Sequence, residues 1–104
     1  MAVYVTGTFR INEGKSEVAE SLLKEWFKKI EREKGTQIYS IFRSKKDPSQ
    51  YLVFEKYRDE EANAFHNSPG QRGDFDAAAR KADLLEPGSF DIYEPVISIT
   101  EKAD

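Results

Sequence analysis

The sequence predicts an α+β fold in which four strands make one antiparallel sheet and two helices cover one of its faces. Three observations carry this reading. Residues 2–11 alternate side chains with the period of a strand, residues 16–30 repeat apolar residues at helical spacing, and the whole chain reads strand, helix, strand, strand, helix, strand. The 104 residues fall within the size of one domain, and 1–104 is read as such because no linker, repeat or low-complexity segment divides it. A chain of this length buries about two thirds of the surface its unfolded form exposes.

The elements follow in order. In AVYVTGTFRI, Val3, Val5, Gly7, Phe9 and Ile11 share one face, with Tyr4, Thr6, Thr8 and Arg10 on the other, which is a strand. Asn12 to Gly14 form a turn. From Ser16 the apolar stripe Val18, Leu22, Leu23, Trp26, Phe27 and Ile30 marks an amphipathic helix. Glu17 and Glu20 at its start, and Lys28, Lys29, Arg32 and Lys34 towards its end, suit the helix dipole, and Gly35 is expected as a left-handed C-cap. Thr36 to Ser44 and Gln50 to Tyr57 are strands joined at Asp47-Pro48-Ser49, a turn signal that makes them an antiparallel hairpin. Asp59 caps a helix reaching about Asn67, and Ser68-Pro69-Gly70 is expected to break it. Gly70 and Gly73 then bracket a loop, read as an ordinary turn in preference to a lid. Asp74 to Leu85 is a second helical run with Phe75, Ala78, Ala79, Ala82 and Leu85 on one face, stopped by Pro87-Gly88. Phe90 to Ile99 is the last strand, and Pro95 places it at an edge or a bulge. This order is the split βαββαβ, or ferredoxin-like, arrangement.

Composition excludes several classes of function. Sixteen Lys and Arg against nineteen Asp and Glu give a net charge of −3, with no long basic run, so nucleic acid is not expected as a partner. No segment approaches the roughly 20 apolar residues of a membrane span, and the N-terminus lacks a cleavage signal, so a cytoplasmic protein is expected. One His and no Cys leave neither a zinc site of several His and Cys, nor a thiol nucleophile, nor disulfides.

The sheet is apolar on both faces: Tyr39 and Ile41 oppose Ile38 and Phe42, Leu52 and Phe54 oppose Tyr51 and Val53, and Tyr93, Ile97 and Ile99 oppose Phe90, Ile92 and Val96. Surface of this kind is seldom left in water, so a homodimer through the sheet face is expected.

The chemistry centres on YLVFEKYRDEEANAFHNSP, residues 51–69, where a strand runs into an acidic helix bearing His66. Imidazole alone among side chains exchanges protons near neutral pH at its unperturbed value. Taken on the residues alone, one histidine on so short a helix is more often solvated or capping. Trp26 lies on the apolar stripe and reads as core, and Glu55 alternates with Val53 and Tyr57, so it is expected inside the sheet as a paired carboxylate. Arg10 and Arg43 read as charges flanking the strands, and Asp59-Glu60-Glu61 as a helix start and not a metal site.

The string FRSKKDPSQYLVFEKYRDEEANAFHNSP resembles the central block of the antibiotic biosynthesis monooxygenase family, through Phe54, Glu55, Tyr57, Asp59, Glu61, Ala62, His66, Ser68 and Pro69, and the likeness extends over nearly the whole chain. The resemblance implies a dimeric α/β barrel. It also implies a monooxygenase that uses molecular oxygen without metal, flavin or other cofactor on a small aromatic quinol or phenol. His66 is carried over as general base or anion stabiliser, Asn63 and Asn67 as hydrogen-bonding partners of the substrate, and Phe54, Tyr57, Phe65 and Trp26, with Tyr51 and Phe27, as the aromatics available to line a pocket. Gly70 stands where many members carry a second histidine, which rules out a two-histidine scheme. Haem-degrading relatives use a later-helix histidine, a tryptophan before it and a first-strand asparagine; this chain has none of these and has Phe65 at the tryptophan position. The same barrel also hosts non-enzymatic ligand-binding modules and isomerases, which are the alternatives.

Overall fold

The structure, a computed structural model, describes residues 1–86 and 88–98. The elements are β1 (Val3–Arg10), α1 (Ser16–Ile30), β2 (Thr36–Arg43), β3 (Gln50–Tyr57), α2 (Glu60–His66), α3 (Pro69–Lys81) and β4 (Ser89–Tyr93). They form one four-stranded antiparallel sheet in the order β2-β3-β1-β4, as the split βαββαβ pattern requires. The register aligns Tyr39, Glu55, Val5 and Ile92 across the sheet, with Ile41, Val53, Gly7 and Phe90 in the next row. Both rows face the helices.

One core cluster joins Phe9, Ile11, Ala19, Tyr51, Val53 and Leu84, and a second joins Val3, Val5, Tyr57 and Ala62. Helix α1 buries Ala19, Trp26 and Ile30, with Leu22 and Leu23 partly covered; Val18 and Phe27, expected on the same stripe, lie at its exposed flanks. The hairpin β2–β3 is closed by its turn: Ser49 Oγ and N both donate to Asp47 Oδ1, and Arg10 on β1 reaches Asp47 Oδ2 at 2.6 Å. That pairing pulls the Asp47 carboxyl down to about 2.

Four local expectations are corrected. Gly35 is not a left-handed cap, because among the described glycines only Gly14 has a positive φ, 77°. A side chain at Gly35 would instead overlap Cβ of Ala62, so its glycine serves the close approach of the chain to α2. Ser68-Pro69-Gly70 does not open a loop. Pro69 is the first residue of α3, a position where its missing N–H is unused, and Gly70 and Gly73 lie within the helix, supported by the Arg72 and Asp76 ion pair four residues apart. Helix α3 also ends early, at Lys81, where Asp83 adopts φ 51° and the Leu84 N–H returns to the Ala79 carbonyl, a C-terminal cap that turns Leu84 inward. Leu85 leaves the helix to bridge Ile11. The stop assigned to Pro87 and the strand residue Ile99 lie outside the described residues. Strand β4 is shorter than expected, ends before Pro95, and occupies a sheet edge.

The sheet face away from the helices is open. Ile38, Phe42, Leu52 and Tyr93 are each 40% exposed or more, and Phe54 lies among them against Tyr4. Among the described residues, no helix is long and apolar enough to cross a membrane.

Candidate active site

Helix α2 is short, and its start is fixed by Asp59, whose carboxylate accepts the Ala62 N–H at 2.9 Å. This capping sets the rotation of the helix, so that Ala62 and His66, one turn apart, both face inward. His66 is 2% exposed, which removes the reading of a solvated residue.

What receives it is polar. After α1 the chain turns sharply, with Glu33 N–H bonded to the Ile30 carbonyl, and the Glu33 side chain enters beneath α2. Its carboxylate accepts the Thr36 hydroxyl at 2.7 Å, the Gln71 side-chain amide at 2.7 Å, and His66 Nδ1 at 2.9 Å. A carboxylate only accepts, so Nδ1 carries the imidazole proton and the neutral ring keeps its lone pair on Nε2. Nε2 faces Glu55 Oε1 at 3.7 Å, too long for a direct hydrogen bond. Tyr57, fully buried, donates its hydroxyl to the same Glu55 oxygen. Burial pushes the Glu55 carboxyl above its usual range, outweighing the Tyr57 hydrogen bond, which acts in the opposite direction. Burial also raises the Tyr57 and Tyr39 phenols, with the Glu55 charge adding to both. The rings of Trp26, Tyr57 and Tyr39 surround the imidazole with centroids 5.2, 5.3 and 5.4 Å away. A flat, polarisable wall of this kind accepts either protonation state of the ring.

A cavity of about 450 Å³ opens on this group, with His66, Glu55, Tyr39, Asn63, Asn67 and Arg72 in its wall. Asn67 spends its amide locally: Nδ2 donates to Asn63 and Oδ1 accepts Arg72 Nη1 at 3.0 Å. Arg72 is otherwise held by Asp76, and its guanidinium, though partly desolvated, is kept firmly charged by that carboxylate. A larger groove of about 530 Å³ lies between α1 and the edge strand β2, lined by Leu23, Phe27 and Ile41. It is reached by no histidine, and its buried Tyr51 hydroxyl is committed to Glu20, so the smaller cavity, which holds His66, is the candidate site.

The structure brings His66, Asn63 and Asn67 into one wall and sets Trp26 and Tyr57 behind the imidazole. The remaining aromatics are placed elsewhere. Phe54 is on the opposite face of the sheet from His66, because it alternates with the inward-facing Val53 and Glu55. Phe65 is 55% exposed and borders a surface hollow, since it precedes the inward His66 by one helical step. Tyr51 stacks on Phe9, and Phe27 lies on the outer groove. Sequence reasoning missed Glu33, Gln71, Arg72 and Tyr39. Glu33 reaches His66 from a turn whose direction no periodicity encodes, whereas Gln71, which donates to Glu33, and Arg72 were both masked by reading a loop where α3 begins.

Among the described residues, no group of three or more acidic, His or Cys side chains is placed to hold a metal ion. Residues 2–81 match the family model described as antibiotic biosynthesis monooxygenase. Among curated proteins, none matches the sequence. Solved structures of similar fold include a protein of Nitrosomonas europaea assigned to antibiotic biosynthesis monooxygenases, with TM-score 0.78, 23% identity and 90% of each chain covered. Another is from Deinococcus radiodurans and carries the same assignment, with TM-score 0.78, 18% identity, and 97% of this chain and 99% of that one covered. A third is a variant of SnoaB, a cofactor-independent oxygenase of Streptomyces nogalater, with TM-score 0.79, 17% identity, and 96% and 98% covered. At these identities the likeness is one of fold.

Proposed function

The chain belongs to the antibiotic biosynthesis monooxygenase family, and from that membership we propose that it is a cofactor-independent monooxygenase acting on a small aromatic quinol or phenol. The observation that carries the reading is the buried His66, anchored by Nδ1 on Glu33 and presenting Nε2 to a cavity. This is the geometry of a general base whose tautomer is fixed by a carboxylate behind it.

In this reading a quinol hydroxyl gives its proton to His66 Nε2. The quinol anion passes one electron to oxygen, and the resulting semiquinone and superoxide join through a carbon–oxygen bond. The peroxide takes back the proton held at His66, its O–O bond then breaks as the ring carbon bearing it loses its hydrogen as a proton, and that second proton joins the departing hydroxide, which leaves as water. Overall, a quinol and oxygen give a hydroxyquinone and water, with the substrate supplying the electrons. The Asn63 amide and the Arg72 guanidinium stabilise the oxyanion, Glu33 holds Nδ1, and Glu55, hydrogen-bonded by Tyr57, faces the Nε2 that takes the proton.

We also propose that the open sheet face, with Ile38, Phe42, Leu52 and Tyr93, is covered by a second copy of the chain.

Oxygen consumption by metal-free protein across a panel of reduced quinones and phenols tests the activity, with wild type beside His66→Gln. Uptake that falls at least about a hundredfold in the variant supports a base at His66. Equal uptake in both removes that role, and no uptake by wild type favours a ligand-binding barrel or an isomerase.

A further inference from the structure

The His66 cavity does not end at the polar wall. A second cavity of about 280 Å³ continues from it, and the two share Tyr39, Arg72 and Phe90. Their linings differ in kind. The first presents His66, Glu55, Asn63 and Arg72, whereas the second is walled mainly by Phe9, Leu23, Trp26, Ile41, Val53 and Phe75, with the exposed Glu86 as its charged residue beyond the shared Arg72. A polar chamber leading into an apolar one matches a ligand that is itself divided.

We propose that the substrate is an amphipathic quinol, its dihydroxy ring beside His66 and an alkyl or prenyl substituent extending past Tyr39 and Phe90 into the apolar chamber. The inference rests on the quinol reading of the His66 cavity and adds to it the class of substituent. Arg72 stands at the junction of the two chambers, held by Asp76 and Asn67. A guanidinium fixed at that point suits a ring oxygen beside it. Leu23 and Phe75 come from different helices and Phe9, Ile41 and Val53 from three strands, so the apolar chamber is built by the whole fold and not by one mobile loop.

The protein carries its own probe. Trp26 is the only tryptophan, lies in the wall of the second chamber and stacks on Phe75 with centroids 5.6 Å apart. Binding of oxidised quinones bearing methyl, butyl or hexyl chains is therefore read by quenching of Trp26 fluorescence, with no turnover required. Each added methylene is expected to tighten binding about fourfold until the chamber is full. Leu23→Phe, which fills the chamber, is expected to weaken the hexyl compound while sparing the methyl one. Phe75→Leu, which enlarges it, is expected to shift the plateau to longer chains. Equal affinity for methyl and hexyl quinones overturns the proposal, as does a chain-length effect that neither variant alters. Chain-length-dependent binding without oxygen uptake upholds the ligand class while the oxygenase reading falls. His66-dependent uptake with no preference for the tail does the reverse.

Discussion

His66 and Glu33, separated by 33 positions in the chain, meet through Nδ1 and Oε1 at 2.9 Å with both side chains at most 3% exposed. Neither belongs to the regular part of a long element: one ends a two-turn helix and the other lies in a turn. Their contact fixes the exit of α1 against α2.

Removing Glu33 therefore leaves three donors, on Thr36, Gln71 and His66, facing a buried gap. Glu33→Ala is expected to lower stability by about 2–4 kcal/mol, and Glu33→Gln, which retains one acceptor, by less. Urea unfolding followed by circular dichroism gives both values, and a loss under about 0.5 kcal/mol for Glu33→Ala would show the contact to be dispensable.

Glu55 gives the fold a pH dependence of definite sign. Burial raises its carboxyl in the folded state above the ordinary value of 4.5, so the fold holds the proton more tightly than the unfolded chain does. The stability this contributes is fully present below pH 4.5 and is lost as pH rises through the folded value, with a slope of at most about 1.4 kcal/mol per pH unit. Glu55→Gln keeps an acceptor for Tyr57 and cannot ionise. Its stability relative to wild type is expected to rise between pH 4 and pH 7, measured by urea midpoints at each pH; a difference that stays flat would count against a raised carboxyl.

Gly35 and Ala62 form a contact with no room for a methyl group. Gly35→Ala is expected to destabilise by about 1–3 kcal/mol through overpacking, and Ala62→Gly in the same chain to recover part of the loss. Additive effects of the two changes would mean that the backbones separate without strain.

The open sheet face predicts the state of assembly. Light scattering on a sizing column is expected to give twice the mass of the chain, and Leu52→Lys, in the middle of that face, to halve it without loss of helical signal. A monomer for wild type at micromolar concentration would contradict the proposed interface.

Much of the fold was legible because it depends on period. Alternation across Val3 to Ile11, the stripe through Trp26 and Ile30, and the turn at Asp47-Pro48 each fix an element from neighbouring residues. The errors came where one residue type has two uses. Pro69 reads as a breaker and also suits a helix start, Gly35 reads as a cap and also permits a close approach, and the inward turn of Leu84 depends on the left-handed Asp83. For the site, His66 was readable as a candidate, but its burial was not, since residues 65 and 66 point only about 100° apart on a helix. The partners Glu33, Gln71 and Arg72 come from other parts of the chain, and their arrival depends on tertiary packing that no local pattern records.

The strand order β2-β3-β1-β4 also orders events in time. The β2–β3 hairpin closes over a short turn, whereas β1 must find β3 across pairs as distant as Val3 and Tyr57, and β4, wholly exposed and bound only to β1, has nothing to pair with until that search is done. The hairpin is thus expected to be the early nucleus and β4 the last piece laid down. In rate measurements across denaturant, Val53→Ala should slow folding, whereas Ile92→Ala should mainly hasten unfolding; the opposite pattern would place the nucleus at the other edge.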